Sequence, residues 1–327
     1  MRHSSPLPRR TSAFHPDLCP IARFLPRSVH PQLIVRLLRL RDTLRRSPKI
    51  PKLPRAVGVS AHDVLVPGPD ASHSIRIRVY RPAPLRSPVP ALLWIHGGGF
   101  VMGDSEIDQA NNIALVREAG IAVAAVNYRL APAHPFPAPL EDCHAALRWL
   151  HSEAETLGVL ANRIAVGGSS AGAGLAAGLT LKAHDRGELP IAFQLLIYPM
   201  LDDRTALRTD IDSSRVRLWN NECNRFGWGS YLQKPAGDAD VNPYAAPGRR
   251  ADLSGLPSAW IGVGTFDLFH DEDLLYAQRL SGSGVSCELC VVAGAYHGFD
   301  LFSPKAGVVR QFRRSYVEAL SRALFES

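Results

Sequence analysis

Cysteine is scarce in this chain: Cys19, Cys143, Cys223, Cys287 and Cys290 are scattered through 327 residues. An odd, thinly spread set is a poor disulfide framework, so a disulfide-stapled secreted scaffold is excluded and a reducing, cytoplasmic compartment is expected. Cys287 and Cys290 form a CxxC, but the surrounding Val285–Ala293, VSCELCVVA, reads as a strand. Residues three apart on a strand point to opposite faces, which argues against a redox or zinc site. Long hydrophobic runs are also missing. No window approaches the roughly 18 uninterrupted apolar residues of a membrane span. The apolar stretch from Gln32 to Leu44 is broken by Arg36, Arg39 and Arg41, whereas a secretory signal needs an unbroken apolar core of about 7–15 residues. Acidic residues are nearly absent from the first 55 positions, where 13 Lys and Arg face only Asp17 and Asp42, a local balance of +11. The remainder holds 24 basic against 28 acidic residues, or −4. A basic segment attracts nucleic acid or anionic membrane. The later body has no basic stripe interleaved with aromatics, so nucleic acid is not an expected partner. Peripheral contact of the basic N-terminus with a membrane surface stays open beside the plainer reading of a solvated extension.

What is present is the composition of an ordinary globular protein, with 46% hydrophobic and 20% charged residues, which speaks against disorder. The length fits one large α/β domain carrying an insertion or a terminal cap. Within the Pro- and Arg-rich first 55 residues, Leu33, Ile34, Leu37, Leu38 and Leu44 fall on one side of a helix that must cover something apolar. From Val57 the pattern turns to strands. Val57–Val66 and Ile75–Tyr80 read as an antiparallel opening pair, the second alternating apolar Ile75, Ile77 and Val79 with Arg76 and Arg78. After Pro90, short apolar runs at Ala91–Ile95, Ile121–Asn127, Ile164–Gly167, Phe193–Tyr198, Ala259–Gly264 and Cys287–Val292 alternate with helical stretches. Those helices fall near Asn111–Ala119, Pro139–Leu157, Ala171–Arg186, Asp271–Ser281 and Val308–Leu324. The rhythm predicts a mostly parallel, doubly wound eight-stranded sheet covered on both faces. It breaks between Asp202 and Ala246, which holds Trp219, Phe226, Trp228 and Tyr231 but no strand-like run, and which reads as a helical insertion.

The chemistry gathers at strand ends. Ile164–Gly167 runs into a helix through Gly168-Ser169-Ser170-Ala171-Gly172. This GxSxG lies at a strand-to-helix turn, where glycines on either side let the two elements pass close to the serine. The helix N-terminus adds unpaired amides and the positive end of a dipole beside a developing oxyanion. His96-Gly97-Gly98-Gly99-Phe100 directly follows the strand Ala91–Ile95, and a glycine run at that position can turn backbone N–H groups toward a substrate carbonyl. Gly98, Gly99 and Ala171 are the expected oxyanion donors, with His96 fixing the loop. A serine nucleophile needs a base, and the base an orienting carboxylate. His297, in a loop just after the last strand, and Asp267, at the end of Ala259–Gly264, supply these in the order Ser, Asp, His that this architecture requires. Asp271, Glu272 and Asp273 read as first-turn acids of the following helix.

Taken together these motifs resemble those of the hormone-sensitive-lipase-like, or bacterial family IV, esterases of the α/β-hydrolase fold. His96–Phe100 resembles the family's HGGGF, Tyr128–Pro132 with His134–Pro137 its YRLAPEHPFP, and Gly168–Gly172 its GDSAG. Asp267–Glu272 is similar to its DPLRDE, and Tyr296–Phe299 to its YHGF; the resemblance runs from about Ala56 to the C-terminus. It implies a catalytic domain over 56–327 and a helical cap built from 1–55 and about 202–235, which would form one structural unit, possess no metal or cofactor, and act on short to medium acyl esters. Phe226 and Trp228 become candidate substrate-binding residues in that cap, beside the plainer role of packing it. A small-molecule ester is then the expected partner, and a homodimer stays open. Three departures bear on subfamily: Ser169 where the family has Asp or Thr, Ala133 where it has Glu, and Leu268-Phe269-His270 where it has Pro-Leu-Arg. A non-catalytic binding protein on the same fold, an amidase and a lactonase are the rival readings.

Overall fold

The structure is a computed structural model and describes residues 13–28, 56–70 and 73–326, with Leu33, Arg36 and Leu40, which are helical and exposed. The helix expected over Gln32–Leu44 otherwise lies outside the described residues. Among the described residues eight strands form one sheet: β1 (Val59–Pro67), β2 (Ser74–Pro82), β3 (Val89–Ile95), β4 (Ala122–Asn127), β5 (Val159–Ser169), β6 (Gln194–Ile197), β7 (Ala259–Gly264) and β8 (Cys287–Val292). Their order is β1-β2-β4-β3-β5-β6-β7-β8. β2 runs antiparallel to β1 and β4, and every other pair is parallel.

Side-chain alternation assigns the two faces. In β3, Ala91, Leu93 and Ile95 enter one core, and Leu92 and Trp94 enter the other, as a period of two requires. The first core lies under α3 (Ala138–Ser152), α4 (Ala154–Leu157), α5 (Ala171–Arg186) and α7 (His270–Gly282). The second lies under α2 (Gln109–Ala119) and α8 (Gly307–Phe325). Cys287 packs with the first core and Cys290 with the second, so the CxxC is split across the sheet. The chain steps from β3 outward to β4 and returns past β3 to β5. The two loops that leave β3 and β5 therefore face one crevice at the carboxyl ends of the strands, where Ile95 is in register with Gly168.

Two expectations change in detail. The single helix read over Pro139–Leu157 is two, because the backbone leaves helical geometry at Glu153 (φ −98°, ψ 9°) before one further turn that ends at left-handed Gly158. The insertion over Asp202–Ala246 holds only one α-helix, α6 (Asn221–Leu232), and a 3-10 turn at Asp203–Leu207. Short polar side chains there bond their own backbone and compete with helix, as where Asp212 accepts the Ser214 N–H at 2.9 Å. Arg78 is fully buried, donating to both oxygens of Asp63 at 2.7 and 2.8 Å and to Gln109 at 3.3 Å. Arg76 holds Glu106, at 2.9 Å for one of its two bonds. These pairs raise both guanidinium pKa values and clamp the 104–108 loop to the sheet.

At the crevice, α6 starts on an Asn220 cap whose side chain accepts the Cys223 N–H at 3.0 Å. Its buried face carries Asn224, Gly227, Trp228 and Tyr231. That face lies on Phe100, whose ring stacks on Tyr231 with centroids 4.0 Å apart. The stretch 13–28, containing α1 (Cys19–Ala22), is tied down from several sides. His15 N–H donates to Gly294 at 3.0 Å, Leu218 N–H to Pro26 at 3.0 Å, Arg217 Nε to Ala22 at 2.8 Å, and Val308 N–H to Asp17 at 3.0 Å.

Candidate active site

β5 passes into α5 through Ser170, whose backbone sits at φ 55°, ψ −122°. The residues two positions before and after it must be glycine. A Cβ on Gly168 would lie 2.3 Å from the Ile95 carbonyl oxygen, and one on Gly172 would lie 2.1 Å from the same atom. The turn is pinned by its own backbone, with Ser170 N–H donating to Ile197 at 2.9 Å and its carbonyl accepting from Met200 at 3.1 Å. The side chain is thus pushed up at the crevice.

His297 reaches it from the loop after β8. Nε2 lies 2.9 Å from Ser170 Oγ, and Nδ1 lies 2.8 Å from Asp267 Oδ2. An ionised carboxylate only accepts, so the geometry assigns the proton to Nδ1 and leaves Nε2 to accept from the serine hydroxyl. Asp267 is itself held, its other oxygen accepting the Phe269 N–H at 3.0 Å. The imidazole is flanked edge-on by Tyr198 and Phe269, with centroids at 4.7 and 5.2 Å. Thr265 steadies the histidine loop by accepting the Gly294 N–H at 2.8 Å. All three side chains are buried.

The loop after β3 closes the other side. Gly98 is at φ 119° and Gly99 at φ 59°, and the Gly98 carbonyl accepts from Val101 and Met102, both at 3.1 Å. Among the described residues the amides of Gly98 and Gly99, in the loop after β3, and of Ala171, the first residue of α5, donate to nothing. His96 does fix this loop: its Nδ1 is 2.8 Å from the Gly97 carbonyl, and its ring stacks on Tyr128 at 4.3 Å. Glu272, read as a helix-start acid, has a longer reach, accepting the Leu201 and Asp202 amides at 2.7 and 3.2 Å and bracing the chain as it leaves β6.

A cavity of about 200 Å³ opens over Ser170 and His297, walled by Gly97–Gly99, Met102, Ile107, Asp108, Leu218, Trp219, Leu301 and Phe302. Neither Phe226 nor Trp228 is in that wall, which corrects their candidacy as substrate-binding residues. Trp228 is fully buried under α6 with its ring 5.2 Å from Phe100, and Phe226 packs against the same core. The insertion instead offers Trp219, whose ring sits where a Cβ on Gly99 would be, 2.0 Å away. Four aromatics of one insertion look alike by type, and only the geometry of the chain before α6 singles out Trp219. Leu218, at φ 68°, turns the chain there. Asp108 had no signal beyond its place ahead of a helix, and its side chain makes no cap bond. Burial foremost, opposed by the Trp94 hydrogen bond and joined by nearby Asp300, pushes its carboxyl up to about 6.

The described arrangement has counterparts among known proteins. A family profile for the alpha/beta hydrolase fold matches residues 92–301. Esterase LipI of Mycobacterium tuberculosis is 36% identical over 276 residues, 83% of this chain and 81% of that protein. An ethyl acetate hydrolase of Pseudomonas putida is 33% identical over 231 residues, 69% of this chain and 72% of that one. Among solved structures, a bacterial heroin esterase superposes with a TM-score of 0.86 at 39% identity, covering 95% of this chain and 98% of its own. Esterase LipW from Mycobacterium marinum superposes with a TM-score of 0.83 at 36% identity, covering 97% and 98%. The chain belongs to the α/β-hydrolase-fold family, in the hormone-sensitive-lipase-like branch of esterases whose motifs it carries in order.

Proposed function

We propose that the protein hydrolyses carboxylic esters of short to medium acyl chain through Ser170, His297 and Asp267. The observation that carries this reading is the unbroken hydrogen-bond chain from Asp267 through His297 to Ser170 Oγ at the floor of an apolar cavity. Ser170 Oγ attacks the ester carbonyl as its proton passes to His297 Nε2, and Asp267 stabilises the imidazolium that results. The carbonyl oxygen gains its charge among the Gly98, Gly99 and Ala171 amides, where each donor is worth on the order of 3 kcal/mol in the transition state. Collapse of the tetrahedral intermediate breaks the C–O bond, and the imidazolium returns the proton to the leaving alcohol. Water, deprotonated by the same Nε2, then attacks the acyl-enzyme, and the acid departs with Ser170 restored. The size of the cavity supports short acyl groups, since about 200 Å³ is less than the roughly 300–1,000 Å³ of sites for drug-sized ligands. The similarity to an ethyl acetate hydrolase and to a heroin esterase supports an ester substrate. In this reading residues 56–327 form the catalytic domain, and 1–55 with about 202–235 form the cap, Leu218 and Trp219 being the part of it that touches substrate.

The reading is tested by kinetics on p-nitrophenyl butyrate. Ser170→Ala and His297→Ala each lower kcat by roughly 10³-fold or more, with melting temperature unchanged within a few degrees. Folded Ser170→Ala protein that keeps most of its activity would contradict it.

A further inference from the structure

One carboxylate in the pocket wall has no part in the ester mechanism. Asp108, only 4% exposed, lines the cavity beside Ser169 and Ser170. Its Oδ2 accepts from Trp94 Nε1 at 2.9 Å and from Ser169 Oγ at 3.5 Å. Both donors are neutral. Among the described residues its second oxygen accepts nothing and no Lys, Arg or His pairs with it. The departure at Ser169 belongs to the same arrangement, because a carboxylate there would stand against Asp108, whereas the serine hydroxyl donates to it. A buried charge without a counter-ion is costly, and the surrounding wall of Ile107, Leu218, Trp219 and Phe302 has no cation to offer. Trp219 and Phe302 add aromatic rings to that wall, and aromatic rings attract ammonium groups.

We propose that Asp108 determines specificity by pairing with an ammonium group on the substrate, so that the favoured class is esters bearing a protonated amine a few bonds from the scissile carbonyl. The ammonium would complete the charge that the protein leaves uncompensated, donating an N–H to the open oxygen of Asp108 while the ester carbonyl sits over Ser170. The raised carboxyl of Asp108, at about 6, is still ionised at pH 7.5, and an arriving cation would hold it so.

The proposal rests on the hydrolase reading, and matched esters separate the two. On the alcohol side, 2-(dimethylamino)ethyl acetate is compared with 3-methylbutyl acetate, which has the same shape and no charge. On the acyl side, ethyl 4-(dimethylamino)butanoate is compared with ethyl 5-methylhexanoate. At pH 7.5 the wild-type protein favours the ammonium ester in kcat/KM in at least one pair. In Asp108→Asn, which keeps the shape and an acceptor for Trp94, that preference falls about tenfold or more. Reading a ratio removes any general effect of the substitution on the triad. A wild-type ratio below one in both pairs would overturn the proposal without any variant, and so would ratios that Asp108→Asn leaves unchanged. Failure to hydrolyse even the neutral esters would overturn the hydrolase reading and this proposal with it.

Discussion

Ser170 is held in a part of backbone space that non-glycine residues seldom enter, at φ 55°, where the strain amounts to about 1–3 kcal/mol. The sheet and α5 over-determine it, and the outcome is a hydroxyl that projects into the crevice instead of lying along a strand. Asp108 is a second residue held at a cost. Its carboxyl rises from 3.8 to about 6, so at pH 7.5 its ionisation opposes folding by about 3 kcal/mol at most. The sign follows from proton uptake: between those two values the native state binds the proton more tightly, so the penalty is absent below about 4, grows with rising pH and is complete above about 6. Asp108→Asn is therefore expected to raise the melting temperature at pH 7.5 and to lose that advantage at pH 4, as thermal unfolding at the two pH values would register. An equal effect at both would count against a charged Asp108. Ser170, His297 and Asp267 were legible because each stands beside a strand end with its own local motif. Asp108 was not, because its significance lies in Trp94 and Ser169, which are 14 and 61 positions away.

Among the elements, α6 and the chain before it divide two jobs that residue type alone does not separate. Trp228 faces Phe100 and Tyr231 in the interior, while Trp219 faces the cavity. Trp228→Ala is expected to destabilise the protein by about 3–5 kcal/mol, the usual cost of emptying a large aromatic site, measured by chemical denaturation. Trp219→Ala is expected to shift the optimum in a p-nitrophenyl ester series toward longer acyl chains, because it enlarges the wall over Gly99. A swap of those two outcomes would mean that the helix face has been misassigned. The strands were readable from their short apolar runs, since burial on both faces leaves little other choice. In β2 the alternation alone could not show that Arg78 is buried, because the acids that make its burial tolerable, Asp63 and Glu106, stand elsewhere in the chain. The insertion resisted reading because its Asp- and Ser-rich stretches bond to their own backbone, so polar content and apolar anchors do not fall at a helical period.

At the scale of the whole molecule, the decisive feature is the reversal of strand order at β3, β5 and their neighbours. It brings the Gly98–Gly99 loop, the Ser170 elbow and the loops carrying Asp267 and His297 to one end of one sheet, across separations of 30 and 127 residues between bonded partners. Alternating strands and helices made that sheet legible, and the order Ser, Asp, His made its active end legible. How the 13–28 stretch meets the insertion was not, because their contacts join residues far apart, such as Pro26 with Leu218 and Ala22 with Arg217. The most direct test of the triad is covalent labelling. The full chain is incubated with a fluorophosphonate at neutral pH, and the modified peptide is identified by mass spectrometry. One equivalent on Ser170, forming much more slowly in His297→Ala and absent in Ser170→Ala, is the expected result; labelling of another residue, or none in folded wild-type protein, would contradict a nucleophile activated by His297 and Asp267.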